Sequence, residues 1–265
     1  DQSGTLMHWV LQMALDPHPG PDNPMAALQP FMELDDEAMA SLAALLVDEY
    51  AKRYLPEDTA RFAYLLSRLK KSMTSLLLYL RDEQRQSSFK PVACELKIGR
   101  GEDAVPAQVY HLSDGRTVQL VGTVDRADEW VEEDGTRWVR VVDYKTGAPH
   151  LEFDGVESLF TGTGKQRLSN ILQTLLYAMM LHRSRGCDVE PALYYVRNMN
   201  RPGYSPQLDD KQTGVKGARY TLYRERFEEL LRAQLAELYD TSVPFRQCED
   251  ADTCKYCDFN VICKR

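Results

Sequence analysis

Apolar and polar positions change period along this 265-residue chain, and the changes divide it. Over residues 1–15 the apolar side chains follow an amphipathic helical pattern, which stops at the proline-rich loop Asp16-Pro17-His18-Pro19-Gly20-Pro21. Two more helices are predicted over 35–53 and 57–85. Asp35-Asp36-Glu37 opens the first, where carboxylates complement the positive helix end, and Pro56-Glu57-Asp58 opens the second. In the second, Phe62, Leu65, Leu66, Leu69, Met73 and Leu76 recur at three- and four-residue steps, which predicts a buried stripe.

From Phe89 the period falls to two. Residues 91–98, 107–112 and 117–121 read as strands of an antiparallel meander, with Asp114-Gly115 as a hairpin turn. Residues 120–147 hold two more strands around a turn at Glu132-Glu133-Asp134-Gly135. A loop over 151–164, a helix over 167–183, a strand over 191–196, an irregular stretch over 198–216 and a helix over 223–239 follow. Helices, then strands, then helix and strand predict an α/β protein: a mixed central sheet flanked by helices, with a helical N-terminal layer and a cysteine-rich tail. We read one domain over 1–265, comprising a helical layer (1–88), a core sheet and helix (89–200), and a helix with the tail (201–265).

The strand pair at 120–147 carries the candidate chemistry. Gly122-Thr123-Val124-Asp125 places a carboxylate in one strand, and Asp143-Tyr144-Lys145 ends the next. Side chains alternate along a strand, so Asp143 and Lys145 share a face and Asp125 joins them from its neighbour. Asp128, three residues beyond Asp125, falls on the opposite face of a regular strand. Two carboxylates and an ammonium converging at a sheet edge are costly unless compensated, and a divalent metal held by hard oxygen ligands is the natural partner.

Composition narrows the picture. Hydrophobic content of 43% and charged content of 27% are those of an ordinary globular protein, and no apolar run is long enough to span a membrane. A net charge of −8 argues against a generally basic nucleic-acid binder; a nucleic-acid partner would need a local basic strip or help from fused domains. Candidates for it are Arg61, Arg68, Lys70, Lys71, Lys165, Arg167, Lys211, Lys216 and Arg219, a scatter that also suits an ordinary solvated surface. No secretory signal is visible, so a cytoplasmic location is expected. The chain opens on Asp-Gln-Ser-Gly rather than Met and reads as a piece of a longer protein. Four of its six cysteines fall in the last eighteen residues, a clustering that favours a metal site over a disulfide framework.

These motifs resemble the PD-(D/E)XK nuclease superfamily, specifically its RecB/AddB-type exonuclease branch. The likeness is carried by Gly122 and Asp125 of G-x-x-D, by Asp143, Lys145, Thr146 and Gly147 of D-Y-K-T-G, by Gln173 and Tyr177 of Q-x-x-x-Y on the following helix, and by His8 four residues after Gly4. Residues 16–88 carry no alignable motif. The resemblance implies a restriction-endonuclease-like core and metal-dependent DNA cleavage. Asp125, Asp143, Lys145, Gln173 and Tyr177 would then be the catalytic set. His8, Asp125, Asp143, the carbonyl of Tyr144 and Glu95 would hold Mg²⁺ or Mn²⁺, although Glu95 has the alternative of orienting Lys145. Cys254, Cys257 and Cys263 form C-x2-C-x5-C, which in the family's iron–sulfur members supplies three ligands of a [4Fe–4S] cluster; Cys248 is a substitute fourth ligand outside that pattern. Zinc on the same four thiolates is the alternative. The resemblance further implies DNA as partner, a helicase motor in the full-length protein and a role in double-strand break repair. The competing readings are a non-catalytic DNA-binding scaffold that keeps the fold and a zinc-stapled interaction domain.

Overall fold

The computed structural model describes residues 2–55, 59–101, 105–162, 167–244, 246–247, 251–255 and 257–264. Three helices come first: α1 (Gln2–Leu15), α2 (Asp36–Tyr54) and α3 (Thr59–Ser87). The acidic start predicted for α2 is its cap, since the Asp35 carboxylate accepts from the Ala38 amide at 2.8 Å. The opening at Pro56-Glu57-Asp58 lies outside the described residues. Of the α3 stripe, Leu66, Met73 and Leu76 are buried and Phe62 and Leu69 pack against the same cluster, but Leu65 is exposed. It lies about 60° from the centre of the stripe, just beyond its edge, and so meets solvent.

The main sheet is formed by β1 (Lys90–Ile98), β4 (Gly122–Val131), β5 (Arg137–Lys145) and β7 (Asp188–Tyr195), in the order β1-β4-β5-β7. β1 and β5 run antiparallel to β4, whereas β5 and β7 are parallel and joined through α5 (Ser169–Arg185). This is the expected mixed sheet. The continuous meander is not found: β2 (Gln108–His111) and β3 (Thr117–Leu120) form their own two-stranded sheet, and β1 pairs directly with β4. Periodicity locates strands but carries no information on which strand pairs with which. The β4–β5 turn has the predicted chemistry, with Gly135 at φ 85° and the Asp134 carboxylate accepting from the Thr136 amide at 2.8 Å.

Side chains leave the sheet on two faces, each with its own core. Val142 and Tyr144 of β5, with Ala192 and Tyr194 of β7, pack against α1, α2 and α3. Val139 and Val141, with Val189, Leu193 and Tyr195, pack against α5 and α6 (Arg224–Leu238). The stretch predicted as a plain loop over 151–164 contains β6 (Glu152–Phe153) and α4 (Ser158–Thr161). The irregular stretch contains β8 (Asp209–Asp210) and β9 (Val215–Lys216), which join β6 in a three-stranded sheet. Elements this short leave no periodic trace. The buried Asp210 carboxylate holds the region together, accepting from the Gly155 and Gln212 amides and from the hydroxyls of Thr213 and Tyr223. Two short helices, α7 (Ala251–Cys254) and α8 (Asn260–Cys263), form the tail. No helix among the described residues is long and apolar enough to cross a membrane.

Candidate active site

At the C-terminal end of β5 the sheet opens, and side chains from five elements meet there. The register between β4 and β5 ends at Arg126 opposite Val142, so Asp125 and Asp143 lie just beyond the ladder. Glu95 sits on β1 with φ 50°, a left-handed conformation that costs a non-glycine residue about 1–3 kcal/mol and persists where its surroundings impose it. α1 brings His8 from one side of the sheet, with Nδ1 3.5 Å from Asp125 Oδ1 and 3.9 Å from Glu95 Oε1. α5 brings Gln173 and Tyr177 from the other.

Two subclusters result. In the first, ligand atoms of His8, Glu95 and Asp125 lie within 4.8 Å of one another, the one such group among the described residues. The second Asp125 oxygen accepts from the Tyr144 amide at 2.7 Å, which fixes that carboxylate to β5. Glu95 therefore neighbours His8, while Lys145 finds its partners elsewhere. In the second subcluster Lys145 Nζ lies 2.6 Å from Asp143 Oδ2 and donates to Gln173 Oε1 at 3.1 Å. Gln173 Nε2 in turn donates to the Tyr177 hydroxyl at 3.3 Å. The Lys145 approach to Asp143 is close but poorly aligned, so Oδ2 is buried with an ionic neighbour and no directed hydrogen bond. Asp143 stands outside the group of three.

The electrostatics follow from this packing. Hydrogen bonding to Asp125 and Glu95 raises the His8 pKa to about 10, against the effect of burial. Burial and then the Asp125 charge push Asp143 up to about 6, with Lys145 pulling the other way. Both groups hold protons more tightly than free side chains do, His8 through its carboxylate partners and Asp143 mainly through burial. One imidazole nitrogen and two carboxylate oxygens within ligand spacing, beside the buried Asp143 carboxylate whose close partner is Lys145, fit a divalent cation with hard ligands.

The structure supplies the reason for one motif glycine. A Cβ on Gly122 would lie 2.7 Å from Tyr177 Cε1, so the Tyr177 ring packs directly on the β4 backbone. Glycine is needed here for close approach rather than for its dihedral freedom. Gly4 and Gly147 have no such requirement, because a Cβ at either meets nothing within 4 Å.

Sequence reasoning missed what lies behind the site. Arg126 and Asp128 project to the opposite face and form a fully buried pair, with Arg126 Nη2 2.8 Å from Asp128 Oδ2. Arg140 Nε reaches Glu190 at 2.7 Å, and its guanidinium lies 4.3 Å from the Trp130 ring centre. Charged residues at both parities of an otherwise apolar strand were the available signal. Of the candidates for a basic strip, Lys70, Lys211 and Arg219 are paired with Asp48, Glu152 and Glu132. The side chain of Arg61 and all of Lys165 lie outside the described residues. In the tail, Cys254 is buried and Cys257 and Cys263 are half-buried; the described thiols do not gather within ligand spacing, and Cys248 lies outside the described residues.

The family model described as the PD-(D/E)XK nuclease superfamily matches residues 1–264. Among curated proteins, an ATP-dependent helicase/deoxyribonuclease subunit from Clostridioides difficile is 30% identical over 185 residues, covering 68% of this chain and 15% of its own. The protein of the same name from Anoxybacillus flavithermus is 31% identical over 180 residues, covering 67% and 15%. That from Pelotomaculum thermopropionicum is 34% identical over 157 residues, covering 58% and 13%. The matched region is thus a small part of each relative.

Proposed function

The chain belongs to the PD-(D/E)XK nuclease superfamily, and from this membership we propose that it is a metal-dependent DNA nuclease domain, acting as an exonuclease within a longer helicase–nuclease of double-strand break repair. The observation that carries the reading is the meeting of His8, Glu95, Asp125, Asp143, Lys145 and Gln173 at one sheet opening. The relatives, named for a helicase and a deoxyribonuclease together, supply the motor and the DNA by analogy. A cytoplasmic location follows from that role.

His8, Asp125, Glu95 and Asp143, with the Tyr144 carbonyl, would hold Mg²⁺ or Mn²⁺. A bound divalent ion lowers the pKa of water and offsets charge that develops on the phosphate. The protein's own groups do the positioning. The Tyr144 amide keeps one Asp125 oxygen turned away, leaving the other toward His8. Lys145, held between Asp143 and Gln173, presents its ammonium to the phosphate oxygens or the attacking water as the P–O bond breaks. Tyr177 braces Gln173. With Lys70, Lys211 and Arg219 paired and the net charge negative, DNA is delivered to this opening by the rest of the protein.

Purified full-length protein should cleave end-labelled linear DNA with Mg²⁺ or Mn²⁺ and stop with chelator. Asp143→Ala and Lys145→Ala should each abolish cleavage while the far-ultraviolet circular dichroism stays that of the wild type. Cleavage that survives Asp143→Ala would remove the site assignment. A folded wild type that binds DNA without cutting it would point to a scaffold.

For the tail we propose an iron–sulfur cluster on Cys254, Cys257 and Cys263 with Cys248 as fourth ligand. The support is the C-x2-C-x5-C spacing and the partial burial of all three described thiols. Soft thiolates order around a metal that is itself part of the folding energy, so the sulfurs would gather on loading. Zinc in place of iron on elemental analysis would reassign the centre.

A further inference from the structure

Arg126 immediately follows Asp125, and an arginine there invites assignment as a phosphate ligand. Its burial excludes that role: the side chain is 0% exposed and packs in the core between the sheet and helices α1–α3. Its donors are committed inside the protein. Nε and Nη2 reach Asp128 Oδ2 at 3.0 and 2.8 Å, and Nη1 donates to the Tyr144 hydroxyl. The guanidinium also lies 5.2 Å from the Tyr194 ring centre, 5.4 Å from that of Phe89 and 5.6 Å from that of Tyr144.

Tyr144 is the residue between Asp143 and Lys145. Its amide donates to the Asp125 carboxylate while its phenol is held by Arg126 in the core beneath α1–α3. Its ring also meets His8 edge-on, with centroids 5.9 Å apart. β4 and β5 leave their ladder register at Arg126 opposite Val142. Beyond that pair two side-chain links span the same strands in opposite senses: Arg126 of β4 to the Tyr144 phenol, and the Tyr144 amide of β5 to the Asp125 carboxylate. Together they clamp the two strands where the backbone ladder stops.

We propose that Arg126 is a positioning residue for the nuclease site: by gripping the Tyr144 phenol from the core on the α1 side of the sheet, it fixes the peptide that holds Asp125, and so sets the metal affinity of the His8–Glu95–Asp125 group. The metal half of this rests on the reading given under Proposed function; the clamp does not. Asp128 holds the guanidinium in place, which gives this fully buried carboxylate a task in a site it does not reach.

The test uses the full-length protein with Tyr144→Phe, Arg126→Lys and the double variant. Tyr144→Phe removes one oxygen and keeps the ring, so it reads the link even where Arg126→Lys fails to fold. Three quantities are measured: hydrogen exchange of the backbone around residues 143–146 without metal, Mn²⁺ affinity without DNA from the free-ion paramagnetic resonance signal, and KM and kcat for linear DNA. Losing one hydrogen bond from the clamp should speed local exchange and weaken Mn²⁺ binding by about three- to tenfold. KM for DNA should stay unchanged, kcat should recover at high Mn²⁺, and the double variant should lose no more than either single one, since the two groups act through one link. Unchanged exchange in Tyr144→Phe would overturn the clamp. A raised KM with unchanged Mn²⁺ affinity would overturn the positioning role in favour of a substrate contact. A wild type that binds no Mn²⁺ would overturn the metal reading, and the exchange measurement would still decide the clamp.

Discussion

Gly122→Ala adds a single methyl group and tests the path from the sheet to the ammonium. The new Cβ would stand 2.7 Å from Tyr177 Cε1, 3.3 Å from its hydroxyl oxygen and 3.4 Å from Cζ. Carbon atoms pack at about 3.5–4.0 Å, so the ring or the strand must move by close to 1 Å. Gly122 has no left-handed dihedral, so the whole effect is steric. Overpacking of this kind costs about 1–3 kcal/mol. The larger consequence is for the site. Tyr177 braces Gln173 at 3.3 Å and Gln173 accepts from Lys145 at 3.1 Å, so a displaced ring withdraws support from the ammonium. A misplacement of about 1 Å in a catalytic array costs up to 100-fold in rate. We expect kcat for linear DNA in Mn²⁺ to fall by about 10- to 100-fold with little change in KM. The companion variant is Gly122→Ala/Tyr177→Leu, which removes the ring that the methyl group strikes. It should be no slower than Tyr177→Leu alone, because the clash no longer exists. Wild-type kcat in Gly122→Ala, or additive losses in the double variant, would refute the steric argument.

Metal binding should strengthen as pH rises, because an ion must displace the proton on His8 (raised to about 10) and meet an ionised Asp143 (raised to about 6). Mn²⁺ titrations at pH 5.5, 7 and 8.5 read this, and a flat profile would count against both groups as ligands. In the metal-free protein both folded values exceed the ordinary 6.5 and 3.8, so both favour folding at low pH. The Asp143 contribution is full below about 3.8 and lost as pH rises through about 6; the His8 contribution is full below about 6.5 and lost through about 10. Arg140→Ala should destabilise by about 3–5 kcal/mol in urea unfolding, since it leaves buried Glu190 without its partner at 2.7 Å; a loss under 1 kcal/mol would mean that water or another group replaces the arginine. Cys257→Ser should lower the iron bound per anaerobically purified chain by at least half, and an unchanged iron content would exclude Cys257 as a ligand.

The local signals proved dependable where one residue's chemistry was enough. Asp35 at the α2 start, Asp-Gly in both hairpins and the order of α1, β4, β5 and α5 were legible because caps, turns and strand alternation act over a few residues. The shared face of Asp143 and Lys145 follows from alternation alone, as does the opposite direction of Asp128. What periodicity cannot carry is pairing at a distance. β2 and β3 form their own sheet because β1 takes the edge of β4, and that pairing is decided only when the whole core packs. The same holds for the site. Sequence named His8, Glu95, Asp125, Asp143, Lys145, Gln173 and Tyr177, yet their division into a His8–Glu95–Asp125 group and a Lys145–Asp143–Gln173 group arises from α1 and α5 approaching opposite faces of one opening. Arg126, the ring of Tyr144 and the Gly122–Tyr177 contact belong to the tertiary structure entirely. Each pairs residues that are distant in the chain, and a buried charge shows its purpose only when its partners are in place.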